Sequence, residues 1–316
     1  MRFFIKNKEI DGWMAINFLR DGISAIHITR SPSALPAVQL MAFYPAEKEA
    51  VQPALEKLAK ELHTQRYRCT SLLGAGEYQL LSVDAPAVPQ DELKTAIRWR
   101  LKDMLDFHVD DATIDVVDVP VEKNAPARNH SMYAVAARNQ LIEQRQGMFV
   151  DAKIPLKAID IPEMAQRNLS ALLEPEGRGV AMLSFDDDGG LLTVTFSGEL
   201  YLARRLDVTL AQLSQEDGEQ RHAIHDRITL ELQRSLDHFD RQYHFIPLAK
   251  LVLGPFHMRA AGLQEYLASN LYVPVEKMDL ESVLDLSKVS ELRSADAQQR
   301  YFLTLGAALR HEEKML

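Results

Sequence analysis

The sequence contains a single cysteine, Cys69, among its 316 residues. One thiol cannot form an intramolecular disulfide, which favours a reducing compartment, and its apolar, strand-like surroundings predict a buried structural side chain. No apolar run approaches the roughly 18 residues that a membrane-spanning helix needs. The first twelve residues, MRFFIKNKEIDG, have too short an apolar part for a signal peptide. We therefore expect a cytoplasmic protein that associates with a membrane only through a bound partner.

Positive charge is also scarce. Thirty-six Lys and Arg stand against 45 Asp and Glu, which gives a formal net charge of −9 and disfavours non-specific binding to nucleic acid or to an anionic membrane surface. The sequence has no Gly-x-Ser-x-Gly, no HExxH and no cysteine–histidine cluster, so hydrolase and zinc signatures are missing. His222 and His225 lack a third ligand nearby and are interpreted as solvated or capping side chains.

Hydrophobic residues make up 47% of the chain, enough for about two domains with cores of their own. Three short strands are predicted between residues 13 and 44, followed by a helix and further strands. Three more strands are predicted between 180 and 206. They precede a helix with an apolar stripe through Ile228 and Leu232, and then a strand that ends at Gly254. The order three strands, helix, strand thus occurs twice, and an insertion of about 100 residues interrupts the first copy.

Proline and glycine at 174–179 predict a domain boundary. We expect a first lobe at 1–175, including an inserted unit at about 46–152, and a second lobe at 176–316. The C-terminal helix, about 295–310, is expected to pack back toward the first lobe.

Six segments match the order and spacing found in one protein family. They are Leu232–Phe239, Leu251–Gly254, Gly262–Leu267, Val273–Val275, Glu92–Arg100 and Asp110–Asp115. The first four resemble the carboxyl half of PilM, an actin-like cytoplasmic protein of type IV pilus assembly, and the last two resemble the inserted subdomain of that family. Within the family the chain is most similar to MshI of mannose-sensitive haemagglutinin (MSHA) pilus systems, with Tyr78–Leu81, Val119–Pro120 and Ile159–Ala165 as supporting segments. The resemblance implies an α/β, two-lobed actin-like ATPase fold, a duplicated ribonuclease H-like unit with an inserted α/β subdomain in the first lobe.

The resemblance also implies where a nucleotide would bind, between two hairpin loops in which glycine admits the phosphates and aspartate positions magnesium. In the first loop, residues 15–19, Asn17 replaces the aspartate and Leu19 replaces a glycine. In the adenosine loop, Gly254 is followed by Pro255 instead of a second glycine, which removes a backbone donor.

The second loop, Ser184–Gly190, aligns with the family in two ways. Either Ser184 and Asp186 replace the aspartate and the glycine, or Asp188 and Gly190 are retained in a shortened loop. On composition alone, Asp186 to Gly190 is interpreted as a solvated hairpin turn rather than a metal site. Gly74-Ala-Gly76 joins two predicted strands and is likewise interpreted as a hairpin turn, not a phosphate loop.

These losses disfavour ATP hydrolysis, so we expect neither a catalytic residue nor a resident metal or cofactor. Nucleotide binding stays open as the alternative. The residues that would then hold ATP and Mg²⁺ are Asn17, Asp188, Gly190, Glu231, Arg234 and Gly254.

The resemblance finally implies a partner, since in PilM-like proteins a cleft beside the inserted subdomain receives the amino-terminal tail of a PilN-type single-pass inner-membrane protein. The corresponding residues are Arg98, Trp99, Arg100, Leu101 and Lys102. Arg100 and Lys102 replace acidic residues of the family, which implies a tail of different charge. Taken alone, Trp99 is interpreted as a core anchor, and exposure in a binding groove is the alternative.

Two functions follow from this reading. The preferred one is a non-enzymatic adaptor of pilus assembly that binds a PilN-like tail and contacts the assembly motor ATPase. The alternative is an ATP-binding protein whose nucleotide state controls lobe closure and partner affinity. A third reading, a relative of sugar or acetate kinases, lacks a catalytic carboxylate in the right loop.

Overall fold

The computed structural model describes residues 9–89, 91–121, 130–215, 217–255 and 262–311. Most of the predicted loop at 122–130, the start of a helix predicted from about 260 and the first eight residues lie outside these ranges. The strands are β1 Trp13–Leu19, β2 Gly22–Ser31, β3 Ala34–Pro45, β4 Arg68–Leu72, β5 Tyr78–Asp84, β6 Ala112–Asp118, β7 Ser131–Arg138, β8 Leu156–Asp160, β9 Gly179–Asp186, β10 Gly189–Phe196, β11 Glu199–Leu206, β12 Leu248–Leu253 and β13 Val275–Lys277. The α-helices are α1 Val51–Leu62, α2 Leu93–Leu101, α3 Asn139–Asp151, α4 Pro162–Ser170, α5 Leu210–Leu213, α6 Gly218–Gln242, α7 Leu263–Asn270 and α8 Ala295–Ala308.

Two five-stranded sheets share one topology. The strand order is β3-β2-β1-β4-β8 in the first sheet and β11-β10-β9-β12-β13 in the second. In both, three strands form an antiparallel meander, and the first strand of the meander then pairs in parallel with a later strand. A further parallel strand completes each sheet. The predicted duplication is therefore present, and each copy forms one lobe of the molecule.

A third, smaller sheet has the order β5-β7-β6 and lies between β4 and α3 in the sequence. Helix α2 covers one face of this inserted sheet, because Ile97 and Leu101 are both fully buried against it. The expected insertion at about 46–152 also encloses α1 and β4, but β4 pairs with β1 and β8 of the first sheet. Helix α1 packs on β2 and β3 through Leu55 and Leu58, so both elements contact the first sheet.

The turn predicted at Gly74-Ala-Gly76 is not a hairpin. Strand β4 pairs within the first sheet, whereas β5 pairs with β7 of the inserted sheet. The connection is instead held by Arg145, which donates to the Leu72 carbonyl at 2.6 Å and to the Glu77 carboxylate at 2.9 Å. The Gly74 amide donates to the same carboxylate at 2.7 Å. The segment is a fixed link between two sheets.

The cores follow the apolar patterns of the sequence. In the second lobe, Ile228, Leu232 and Leu236 of α6 are fully buried beneath the second sheet. In the first lobe, Cys69 is buried among aliphatic side chains of α1 and the first sheet. Burial raises the pKa of the Cys69 thiol to about 12, so the side chain behaves as a small, neutral hydrophobic group, as predicted.

Two helices join the lobes. All nine residues of α4 are buried, and its Gln166 amide donates to the Met182 and Leu191 carbonyls of the second sheet, both at 3.0 Å. Helix α8 packs against α4 and against β1 and β2 of the first sheet. The crossing of α4 and α8 is tight, since a Cβ atom on Gly306 would lie 2.2 Å from the Ala165 carbonyl oxygen. No helix in the described ranges is long and apolar enough to cross a membrane.

Candidate functional site

A cavity of about 930 Å³ lies between the two lobes. Its walls include the turn between β1 and β2, the turn between β9 and β10, the loop after β4 and the amino-terminal part of α8. The two hairpins expected to contact phosphates therefore face one cleft. Asn17, Asp188 and Pro255 all line it.

In the first hairpin a large side chain stands at the position where the family has a glycine. Leu19, the last residue of β1, lines the cavity and packs against the apolar cluster around α8. The backbone of Asn17 is paired with Ser24 in the β1–β2 ladder, and the Ser24 hydroxyl lies 2.9 Å from that of Thr304 on α8. A branched side chain thus occupies space beside the turn, and the strand behind it is fixed by α8.

The hairpin turn predicted over Asp186 to Gly190 is a two-residue turn, Asp187-Asp188, between paired Asp186 and Gly189. The Asp186 carboxylate accepts from the amides of Asp188, at 2.8 Å, and Gly189, at 3.0 Å. Burial raises the pKa of Asp186, and these two amide donors oppose that shift. Gly190 has a packing role, because a Cβ atom there would lie 2.8 Å from the Phe185 ring. The turn is thus ordered by hydrogen bonds from its own backbone amides to Asp186.

Arg20 joins the two hairpins across the cleft. It lies in the β1–β2 turn, and its Nη2 atom is 3.1 Å from Asp188 Oδ1 and 3.3 Å from the Asp187 carbonyl oxygen. Its Nε atom lies 3.5 Å from Asp187 Oδ2. The two exposed carboxylates of the second turn are therefore both paired with a cation of the first lobe.

The remaining predicted nucleotide residues lie apart from the cleft or at its edge. Glu231 and Arg234, on α6, form an ion pair with each other at 3.4 Å, and Glu231 also pairs with Arg204 at 3.5 Å. Neither residue lines the cavity. Gly254 is bonded through its amide to the Leu183 carbonyl at 2.8 Å, and a Cβ atom there would lie 3.0 Å from Ser184 Cβ. Gly254 is therefore explained by close backbone packing at the base of the second hairpin.

Three features of this cleft oppose the binding of an ATP–magnesium complex. Leu19 occupies space beside the first turn, Pro255 has no amide to donate, and the carboxylates of the second turn already face a guanidinium. Across the described ranges, no group of three or more His, Cys, Asp or Glu side chains is arranged to hold a metal ion. The chemistry available here is ion pairing between lobes.

The five residues predicted to bind a partner lie in different environments in the structure. Trp99 is 73% exposed on α2, so its interpretation as a core anchor is wrong. Leu101 lies in the core of the inserted sheet, and its inclusion in a binding surface is corrected accordingly. Arg98 ties α2 to the following segment through Asp110, at 3.2 Å. Arg100 and Lys102 are exposed. We use the name α2 surface for Trp99, Arg100 and Lys102.

One buried polar cluster was not predicted from the sequence. Glu163 on α4 is 2% exposed and accepts from the Tyr78 hydroxyl of the inserted sheet and from Arg205 Nε of β11 at 3.1 Å. Arg205 also donates to the Tyr78 hydroxyl at 2.9 Å. Burial and the neighbouring Glu163 raise the pKa of Tyr78. Burial lowers the pKa of Arg205, but Tyr78 and Glu163 outweigh it and the pKa rises, so Arg205 stays charged. The cluster joins the inserted sheet, the second sheet and α4.

A signal for this cluster is present in the sequence. Glu163 is a charged residue directly after Pro162, in the first turn of a helix that is otherwise buried. A carboxylate in such a position needs a cationic or hydroxyl partner. The sequence does not say which partner, because Tyr78 and Arg205 are 85 and 42 residues away from Glu163.

Neither a protein-family model nor a curated protein sequence matches the chain. Among solved structures, one described as the PilM–PilN type IV pilus biogenesis complex matches with a TM-score of 0.73 and 17% identity, covering 95% of this chain and 98% of the other. A Bacteroides thetaiotaomicron protein with an actin-like ATPase fold and unknown function matches with a TM-score of 0.49 and 11% identity, over 93% and 99% of the two chains. The cytoplasmic domain of EpsL, an inner-membrane component of the Vibrio cholerae type II secretion system, matches with a TM-score of 0.43 and 14% identity, over 66% and 79%.

The likeness to the PilM–PilN structure extends over nearly the whole of both chains. Together with the duplicated sheets and the inserted sheet, it confirms the fold class. The protein has a two-lobed actin-like fold with an inserted α/β subdomain in the first lobe.

Proposed function

We propose that this protein is a PilM-like adaptor of type IV pilus assembly, of the MSHA type, and that it binds the cytoplasmic tail of a PilN-like single-pass inner-membrane protein. The observation that carries the proposal is the likeness to the structure of the PilM–PilN complex over 95% of this chain. The adaptor would be cytoplasmic, held at the inner membrane by its partner, and would contact the assembly motor ATPase. We also propose that the boundary between its two lobes falls between residues 175 and 176.

The α2 surface supports a specific kind of tail. Trp99 presents an exposed aromatic side chain, the residue type that most often dominates binding energy at interfaces. Arg100 and Lys102 add positive charge on a protein whose net charge is −9. A tail with an apolar anchor and acidic residues would complement this surface.

The first test is recovery of the partner from the native organism with the tagged full-length chain. Trp99→Asp is expected to reduce recovery of a single-pass PilN-like protein at least tenfold, because hot-spot truncations cost about 2 kcal/mol or more. Val150→Ser is the matched control, since Val150 on α3 is 71% exposed and carries no predicted role. Leu101 is unsuitable for this test because its replacement would disrupt the core of the inserted sheet. Unchanged recovery with Trp99→Asp would contradict the assignment of the α2 surface.

We further propose that the cleft does not bind ATP with magnesium. Leu19 fills space beside the first turn, Pro255 has no amide to donate, and Arg20 already pairs with the carboxylates of the second turn. The alternative function, an adaptor gated by nucleotide, is favoured by one observation, the cavity of about 930 Å³ between the lobes. Titration calorimetry with ATP and Mg²⁺ separates the two. We expect no saturable heat, whereas saturable binding that is lost in Asp188→Ala would establish the alternative.

A further inference from the structure

The contacts of Arg20 link two turns that are far apart in the sequence. Arg20 and Asp188 are 168 residues apart, and their turns belong to the first and the second sheet. The guanidinium contacts two carboxylates and a backbone carbonyl of the second turn, with all three distances between 3.1 and 3.5 Å. One side chain therefore spans the cleft between the lobes.

Both turns are fixed in position by other groups. In the second turn, the Asp186 carboxylate accepts from two backbone amides and so orients Asp187 and Asp188. In the first turn, Asp21 pairs with Arg300 of α8 at 2.5 Å, and the Arg300 guanidinium lies 4.0 Å from the centre of the Phe43 ring. Because the first turn is anchored to α8, which packs on the first sheet, and the second turn is anchored by its own backbone amides, the Arg20 contacts join two fixed turns.

We propose that Arg20 is an interlobe latch, a guanidinium that bridges the two hairpins and limits the opening of the cleft. The protein itself supplies a cation in one turn and two anions in the other. This link between the lobes does not depend on the identity of the partner.

The exposure of the three side chains sets the expected strength of the latch. Arg20 is 67% exposed, and Asp187 and Asp188 are 54% and 49% exposed. Exposed ion pairs contribute little individually and are screened by salt. The latch is therefore reversible, and it weakens as ionic strength rises.

The test is hydrogen exchange of the full-length chain, followed by mass spectrometry on peptides that cover residues 18–23 and 185–190. Arg20→Ala is expected to increase exchange in both peptides about two- to fivefold at low salt. Arg66→Ala is the matched control, because Arg66 is an exposed arginine of the same lobe and removes the same charge. In 1 M NaCl the difference between Arg20→Ala and the native chain should largely disappear.

A charge reversal gives a second test of the same ion pairs, for the case in which Arg20→Ala also perturbs folding. Arg20→Glu is expected to increase exchange further, and adding Asp188→Arg to it should restore much of the protection in both peptides. The inference is overturned if Arg20→Ala leaves the 185–190 peptide unchanged. It is equally overturned if the double reversal protects no better than Arg20→Glu alone.

Discussion

Two glycines within helices differ in what surrounds them, and the difference decides the effect of adding a methyl group. Gly306 of α8 would place a Cβ atom 2.2 Å from the Ala165 carbonyl oxygen, whereas Gly147 of α3 has no atom within 4 Å of that position. We expect Gly306→Ala to lower the free energy of unfolding by about 1–3 kcal/mol, the usual cost of overpacking. Gly147→Ala should raise it by about 0.5–1 kcal/mol, because alanine is the better helix former. Urea denaturation measures both, and equal effects would contradict the close helix crossing.

For Trp99, the helical period and the size of the side chain predict different positions. Ile97 and Leu101 are four residues apart and form the buried stripe of α2, which leaves Trp99 on the opposite side of the helix. The helical period therefore predicts exposure. The interpretation as a core anchor was based instead on the size and apolarity of the side chain. The structure agrees with the helical period, because Trp99 is exposed.

At the scale of elements, the strands and the duplicated sheets were predictable because each is specified by local apolar runs and by turns of a few residues. The turn at Asp187-Asp188 was predictable for the same reason. Pairing between distant segments was not. Gly74-Ala-Gly76 resembles a hairpin in composition, but Arg145, about 70 residues away, holds the segment as a link between sheets. Local composition gives no information on that contact.

The inserted sheet docks on the second lobe through Tyr133 of β7. Its hydroxyl accepts from the Ala203 amide at 3.0 Å and lies 3.4 Å from the Tyr201 carbonyl oxygen, both on the edge strand β11. Burial raises the pKa of Tyr133 to about 12, so the phenol stays neutral and can both donate and accept. A side chain thus satisfies edge groups that would otherwise lie buried and unpaired.

We expect Tyr133→Phe to destabilise the protein by about 1–3 kcal/mol, because the Ala203 amide loses its acceptor. Amide exchange in residues 200–205 should increase. Tyr272→Phe is the control, since the Tyr272 hydroxyl bonds Asp240 at 2.7 Å in an exposed position, and its removal should change stability by less than about 0.5 kcal/mol. Equal stability of the two variants would show that the phenol does not hold the inserted sheet on β11.

At the scale of the whole molecule, the cleft was only partly predictable. The resemblance predicted Asn17 and Asp188 in one nucleotide site, and both line the same cavity. It also placed Glu231 and Arg234 there, whereas both lie outside, paired on the surface of α6. The Arg20 contacts were missed, since an arginine in a turn is ordinary until the fold brings the facing lobe within 3.5 Å of it.

Each lobe packs against a helix from the other part of the sequence. This arrangement predicts that neither lobe folds alone. Helix α4 belongs to the first part of the sequence, yet Gln166 and Ser170 bond to the second sheet. Helix α8 belongs to the last part, yet it packs on the first sheet and on α4. Each lobe alone would therefore expose a buried helix face and lack a helix that covers its sheet.

We accordingly expect the fragments 1–175 and 176–316 to be aggregated or unfolded when each is produced alone, and to recover a folded complex when they are produced together. The full chain should unfold in a single thermal transition, because the shared helices couple the two cores. Circular dichroism and size-exclusion chromatography measure these properties. A soluble fragment 1–175 that unfolds cooperatively at the temperature of the full chain would show that α8 is dispensable to the first sheet. In that case the coupling of the two cores would rest on α4 and on the contacts of Glu163 and Tyr133 with β11.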